Sequence, residues 1–180
     1  MIELIIFRGI LSPFYFYMKS VIIIRHAKSS WDQPGVEDFD RPLNDRGKED
    51  APKMAARLLD KKVKVDAFIA SSAKRARKTA SLFIKEFGGD KEDIILVPEL
   101  YLAGPEAFYN AIAKAPASAN TIAIFAHNPG ITEFANELTD VRIDDMPTCA
   151  IFAVNAEIKD WKEFKDAKKT YWFFDYPKAV

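Results

Sequence analysis

Three features of the sequence predict a single α/β domain, a three-layer sandwich with helices on both faces of a mostly parallel central sheet. Short runs of β-branched and apolar residues, the first being VIII at 21–24, alternate along the chain with amphipathic stretches of helical period. The 180 residues fit one domain of the usual size, roughly 100–200. At 49% apolar and 13% aromatic the chain can build one core, which excludes disordered and collagen-like classes.

The first 17 residues (MIELIIFRGILSPFYFY) stand apart as an N-terminal extension, apolar but interrupted by Arg8 and Pro13. They lack the ordered basic, apolar and small-residue regions of a signal peptide, and they fall short of the ~20 residues needed to span a bilayer. The folded unit is expected at 18–180.

Within it, residues 21–24 read as a buried strand bounded by charge. Asn44 caps a helix to about Leu59 whose inner face is Ala51, Met54, Ala55 and Leu58, with Pro52 blurring its first turn. Residues 66–70 form a second strand. Ser72 is expected to cap the next helix, which presents Ala76, Ala80, Phe83 and Phe87 inward and stops at Gly88-Gly89. A third strand at 94–97 precedes a short helix with Pro105 near its start. Residues 121–125 make a fourth strand and 131–138 a fourth helix. Two more strands, at 149–154 and 170–174, are joined by a segment holding Trp161 and Phe164.

Charge and cysteine usage narrow the function. The 26 basic and 26 acidic side chains cancel, so no global field draws the chain to nucleic acid or a membrane surface. Cys149 is the only cysteine, and with two histidines it cannot build a His/Cys zinc site or an internal disulfide. The expected setting is cytoplasmic.

Ligands of open α/β sheets bind beyond the carboxyl ends of the strands. Arg25-His26 follows the first strand, His127-Asn128-Pro129-Gly130 follows the fourth, and Arg75 sits in the first turn after the second. Both histidines of the chain therefore converge on one end of one sheet with two arginines. Arg75 opposes the helix dipole there, a placement that an anion nearby would explain. The neighbouring Lys74, Arg77 and Lys78 read as a solvated face. Guanidinium forks match the oxygens of a phosphoryl group, and the helix after His127 adds backbone N–H donors. No P-loop glycine pattern or cysteine-arginine phosphatase loop is present, and Cys149 falls in a strand-like run. Histidine remains as the nucleophile.

The segments RHAKSSWD at 25–32, PLNDRG at 42–47, SSAKRARKTA at 71–80 and AHNPG at 126–130 resemble the histidine phosphatase superfamily. The short length, the PLNDRG element and the terminal MPTCAIFAV…W…FKDAKKTYWFFDYP stretch look most like its SixA-type phosphohistidine phosphatases. The resemblance covers residues 18–177. It implies a phosphoglycerate mutase-like fold, no metal or other cofactor, and a phosphorylated protein or small phosphorylated metabolite as partner. By motif, His26 is similar to the family's nucleophile, with Arg25, Arg75 and His127 (cationic when engaged) completing the phosphate pocket. Ala27 stands where the wider superfamily usually has glycine. The general acid of the larger relatives has no secure counterpart; Glu99 occupies a plausible place, and Glu106 and Asp32 are weaker candidates. The implied reaction is phosphoryl transfer to a neutral His26 imidazole, its proton held on the ring nitrogen facing away from substrate. A small-molecule phosphomonoesterase and a phosphate-binding module without turnover are the alternatives.

Overall fold

The chain is described by a computed structural model covering residues 17–32 and 34–179. Six strands make one mixed sheet: β1 (Met18–Arg25), β2 (Ala67–Ala70), β3 (Ile95–Leu96), β4 (Thr121–Ala126), β5 (Ile151–Glu157) and β6 (Lys169–Asp175), in the order β3-β2-β4-β1-β5-β6. The first four are mutually parallel, while β5 is antiparallel to both β1 and β6. The extension expected at residues 1–17 lies, except for the exposed Tyr17, outside the described residues.

Four helices, α1 (Asp45–Asp60), α2 (Lys74–Glu86), α3 (Pro105–Ala113) and α4 (Gly130–Leu138), cover the two faces. The pleat of β1 explains its unbroken apolar run. Val21 and Ile23 pack with Phe108, Ile112, Phe134 and Leu138 of α3 and α4, whereas Ile22 and Ile24 pack with Met54, Leu58, Phe83 and Ile84 of α1 and α2. A strand covered on both faces has no polar side to display. This is the expected three-layer sandwich.

Local chemistry sets the helix ends. The Asn44 side chain accepts from the Gly47 N–H, and Pro52 is absorbed inside α1. Gly88, at φ +78°, takes the left-handed position after α2 that favours a residue without Cβ.

Two expectations need correction. Ser72 does not cap α2; Ala73 is its N-cap, and Ser71 accepts from the Ala73 N–H at 3.3 Å. Cys149 does not belong to β5. It sits before the strand at φ +63°, with its N–H shared between the carbonyls of Arg25 (3.1 Å) and His26 (3.2 Å). The apolar run bends there because those two strand-end carbonyls need a donor.

Candidate active site

The sheet order creates the site. Strand β4 is inserted between β1 and β2, so residues just past the carboxyl ends of three parallel strands become neighbours. Arg25 pairs in register with Ala126, and the His26 N–H donates to the Ala126 carbonyl at 3.0 Å. His26 and His127 therefore emerge side by side, their ring centroids 5.0 Å apart. Ser71, one residue beyond β2, reaches His127 Nε2 at 2.8 Å.

His26 is held in one tautomer. Its Nδ1 lies 2.8 Å from the Ala27 carbonyl, which can only accept, so Nδ1 carries the proton and Nε2 the lone pair. Nε2 accepts from Arg75 Nε at 3.2 Å. Helix α2 braces this arrangement through Thr79, whose hydroxyl accepts from the Ala27 N–H at 3.0 Å and donates to the Arg75 carbonyl at 2.7 Å. Burial lowers the His26 pKa from 6.5 to about 3; the Ala27 carbonyl opposes this, and the Arg75, Arg25 and Arg41 charges reinforce it. The imidazole is therefore neutral.

His127 is also held neutral, its pKa brought to about 3 by burial and then by His26 and Arg75. The cationic form expected of an engaged His127 thus requires added negative charge. Its ring meets Tyr101 edge-on at 5.6 Å. The Arg25 Nη1 donates to the Met146 carbonyl at 2.5 Å and to Asp145 at 3.2 Å. Among the described residues, the buried side-chain nitrogens and oxygens without a hydrogen-bond partner are two, Arg25 Nε and His127 Nδ1. Both belong to this site. Buried polar atoms are rarely left unmatched, and such a pair can receive an external group.

Asp38 was not singled out by sequence reasoning. It lies in a 3-10 turn at Asp38–Asp40, where its backbone carbonyl accepts from Arg75 Nη1 and its Oδ2 accepts from Arg75 Nη2 and the Tyr101 hydroxyl, each at 2.9 Å. Arg41 Nη1 donates to Oδ1, also at 2.9 Å. Burial works against the Asp38 charge, but hydrogen bonds from Arg41, Tyr101 and Arg75 prevail and bring its pKa to about 2. The signal available in sequence was a carboxylate three residues before an arginine in a loop at the strands' carboxyl end.

The structure brings Arg25, His26, Arg75 and His127 together. Of the acid candidates, Glu99 is exposed in a 3-10 turn and hydrogen-bonded to none of the four, although Tyr101 two residues on reaches both Asp38 and His127. Glu106 pairs with Lys165 at 2.8 Å, and the exposed Asp32 accepts from the Ser30 hydroxyl at 2.7 Å. No group of three or more His, Cys, Asp or Glu side chains among the described residues is placed to hold a metal ion. No helix among them is long and apolar enough to cross a membrane.

Comparison with known proteins gives this geometry a family. Residues 21–101 match the model of the histidine phosphatase superfamily (branch 1). A chloroplastic protein of Arabidopsis thaliana is 30% identical over 160 residues, covering 84% of this chain and 73% of the relative. A structure assigned to the phosphohistidine phosphatase SixA of Agrobacterium tumefaciens superposes with a TM-score of 0.72 at 25% identity, over 88% of this chain and 98% of that one. The protein histidine phosphatase SixA in complex with tungstate gives 0.70 at 20% identity, over 88% and 97%. With the SixA-type form of the fold and these motifs at its strand ends, the chain belongs to the histidine phosphatase superfamily.

Proposed function

We propose that the chain is a phosphatase that takes the phosphoryl group of phosphohistidine in a protein onto His26 and passes it to water. The observation that carries this reading is the His26 tautomer: an unprotonated Nε2, fixed by the Ala27 carbonyl, beside a buried guanidinium. A binding module needs the cations but has no use for a prepared lone pair. Family membership supports the histidine-dependent phosphatase, and the likeness to SixA supports the phosphohistidine substrate.

The chemistry follows from what each group can do. In the first step the His26 Nε2–P bond forms as the P–N bond to the leaving imidazole breaks, and that imidazole leaves with a proton. Arg25 Nε, Arg75 and His127 Nδ1 face the charge on the non-bridging oxygens, a preorganised electrostatic contribution. The Ser71 hydroxyl can donate to His127 Nε2, which places the His127 proton on Nδ1, toward the phosphoryl group. In the second step water attacks phosphorus, the Nε2–P bond breaks and phosphate leaves with the protons of the water shared between product and solvent.

The test pairs a trapping experiment with a substrate panel. Acid-quenched enzyme is expected to carry acid-labile phosphate on His26, and His26→Ala is expected to lose turnover while its melting profile stays cooperative. On the panel, a phosphohistidine protein is expected to outpace sugar and nucleotide monophosphates. Wild-type-like turnover in His26→Ala would sink the mechanism, and preference for a small ester would sink the substrate.

A further inference from the structure

The cations Lys74, Arg77 and Lys78, which sequence reading assigns to a solvated face, line a groove. It holds about 600 Å³ between α1, α2 and β3, and its walls also include Pro42, Leu43, Lys48, Lys91, Glu92, Ile94 and Leu96. Three observations point to an occupant. First, Lys74, Arg77, Lys78 and Ser81 recur at i, i+3, i+4 and i+7, so they form one stripe along α2, beside the face buried through Ala76, Ala80 and Phe83. Second, five cationic side chains meet one carboxylate in this groove, although the whole chain has a formal net charge of zero. Lys48 pairs with Asp45 and Lys91 with Glu92, but Lys74, Arg77 and Lys78 have no ion pair among the described residues. Third, the floor is apolar, formed by Pro42, Leu43, Ile94 and Leu96, with Leu96 44% exposed on the edge strand of the sheet.

The groove adjoins the phosphate site along the chain. Arg41 and Arg75 hold Asp38 there, while Pro42 and Lys74, their immediate neighbours, line the groove. We infer that this groove docks an acidic, apolar-punctuated segment of the phosphorylated protein substrate, its carboxylates on the α2 stripe and its apolar side chains on the floor. The inference deepens the phosphatase reading and rests on it for the identity of the partner. A folded or extended peptide suits the pairing of cations with an apolar floor better than a nucleic acid does. A polynucleotide would be recognised by cations with exposed aromatic stacking partners, and no aromatic side chain lines this groove.

The test measures binding, so it stays informative even if turnover is absent. Fluorescence anisotropy of a short labelled peptide alternating Glu with Leu, unphosphorylated, is followed with the wild-type protein across a salt series. Saturable, salt-sensitive binding is expected, weakened by roughly tenfold or more in the Lys74→Glu/Arg77→Glu/Lys78→Glu variant, since each exposed charge pair is worth a fraction of a kcal/mol and reversal turns attraction into repulsion. Leu96→Asp, which leaves the cations intact, is expected to weaken binding as well. The altered side chains are exposed, and a melting curve confirms folding. Binding unchanged by the triple variant overturns the proposal. So does an oligonucleotide of matched charge that binds more tightly than the peptide, or a peptide of Glu with Ser that binds equally well. A phosphatase that fails on phosphohistidine but binds the acidic peptide would refute the substrate reading and leave the groove standing.

Discussion

Lowering the pH should destabilise this protein through two residues. His26 and His127, 8% and 3% exposed, both have pKa values of about 3 in the folded state against an ordinary 6.5. Because the folded pKa is the lower one, the unfolded chain binds more protons wherever pH lies between the two values. Stability therefore falls as pH drops through 6.5 and continues to fall toward 3. At about pH 5 the loss comes to roughly 2 kcal/mol per histidine, since each pH unit below the unfolded pKa costs about 1.4 kcal/mol. That is a large part of a typical folding free energy of roughly 5–15 kcal/mol. Urea unfolding across pH tests the sum, with His26→Gln and His127→Gln each expected to flatten the acid slope by about half. Proton NMR tests the origin directly, because the chain has only two histidines to assign. Neither ring should titrate near its ordinary value in the phosphate-free protein. A midpoint close to 6.5 for either ring, or identical acid slopes in the variants, would refute the reasoning.

Three further outcomes are expected. A β-carbon on Gly130 would lie 1.6 Å from the Ala103 carbonyl oxygen, so Gly130→Ala should cost about 1–3 kcal/mol or more by thermal melting, whereas Gly104→Ala, which meets nothing within 4 Å, should be close to neutral; equal effects would contradict the packing. Asp38 has its pKa lowered from 3.8 to about 2, so its contribution is complete above about pH 4 and lost as pH falls through about 2. Its side chain is 43% exposed, and after allowing for solvent screening Asp38→Asn should lose about 1 kcal/mol in urea unfolding at neutral pH, with no difference near pH 2; a constant difference would show that the charge is not responsible. Activity on an aryl phosphate should survive prolonged chelation, and a loss restored by magnesium or zinc would mean that the site uses a metal which the described side chains do not reveal.

Register explains which parts of the site are legible in sequence. His26 and His127 each follow an apolar run directly, and parallel pairing in register then forces them together. Arg75 is legible because a cation in the first turn of a helix asks for an explanation. Side chains that arrive by tertiary approach give no such signal. In the DFD turn, Asp38 and Asp40 look alike, yet Asp38 meets Arg41, Arg75 and Tyr101 while the Asp40 side chain makes no hydrogen bond among the described residues. Ser71 and Ser72 are equally good caps on paper. The register of β2 turns Ser71 fully inward to His127, and the expected cap at Ser72 does not form. Cys149 reads as strand because its neighbours are apolar, but hydrogen bonding to Arg25 and His26 fixes a backbone angle that no apolar pattern encodes.

The pocket's charges act on the proposed nucleophile, the phosphoryl group and the leaving group together. The guanidiniums that attract a phosphoryl dianion also help keep both imidazoles unprotonated. An arriving dianion offsets that field, which favours a proton on His127 only once substrate is bound. In the proposed mechanism that proton lies on Nδ1 toward the non-bridging oxygens, and Asp38 is ionised by its hydrogen bonds from Arg41, Tyr101 and Arg75, so neither group is a ready acid for the leaving group. An alkoxide leaving group demands a proton at the moment of bond cleavage, and a site of this kind supplies it poorly. A phosphorylated imidazole brings a nitrogen that can be protonated from solvent before the bond breaks. On this ground we propose that the pocket turns over phosphoramidates more readily than alkyl esters.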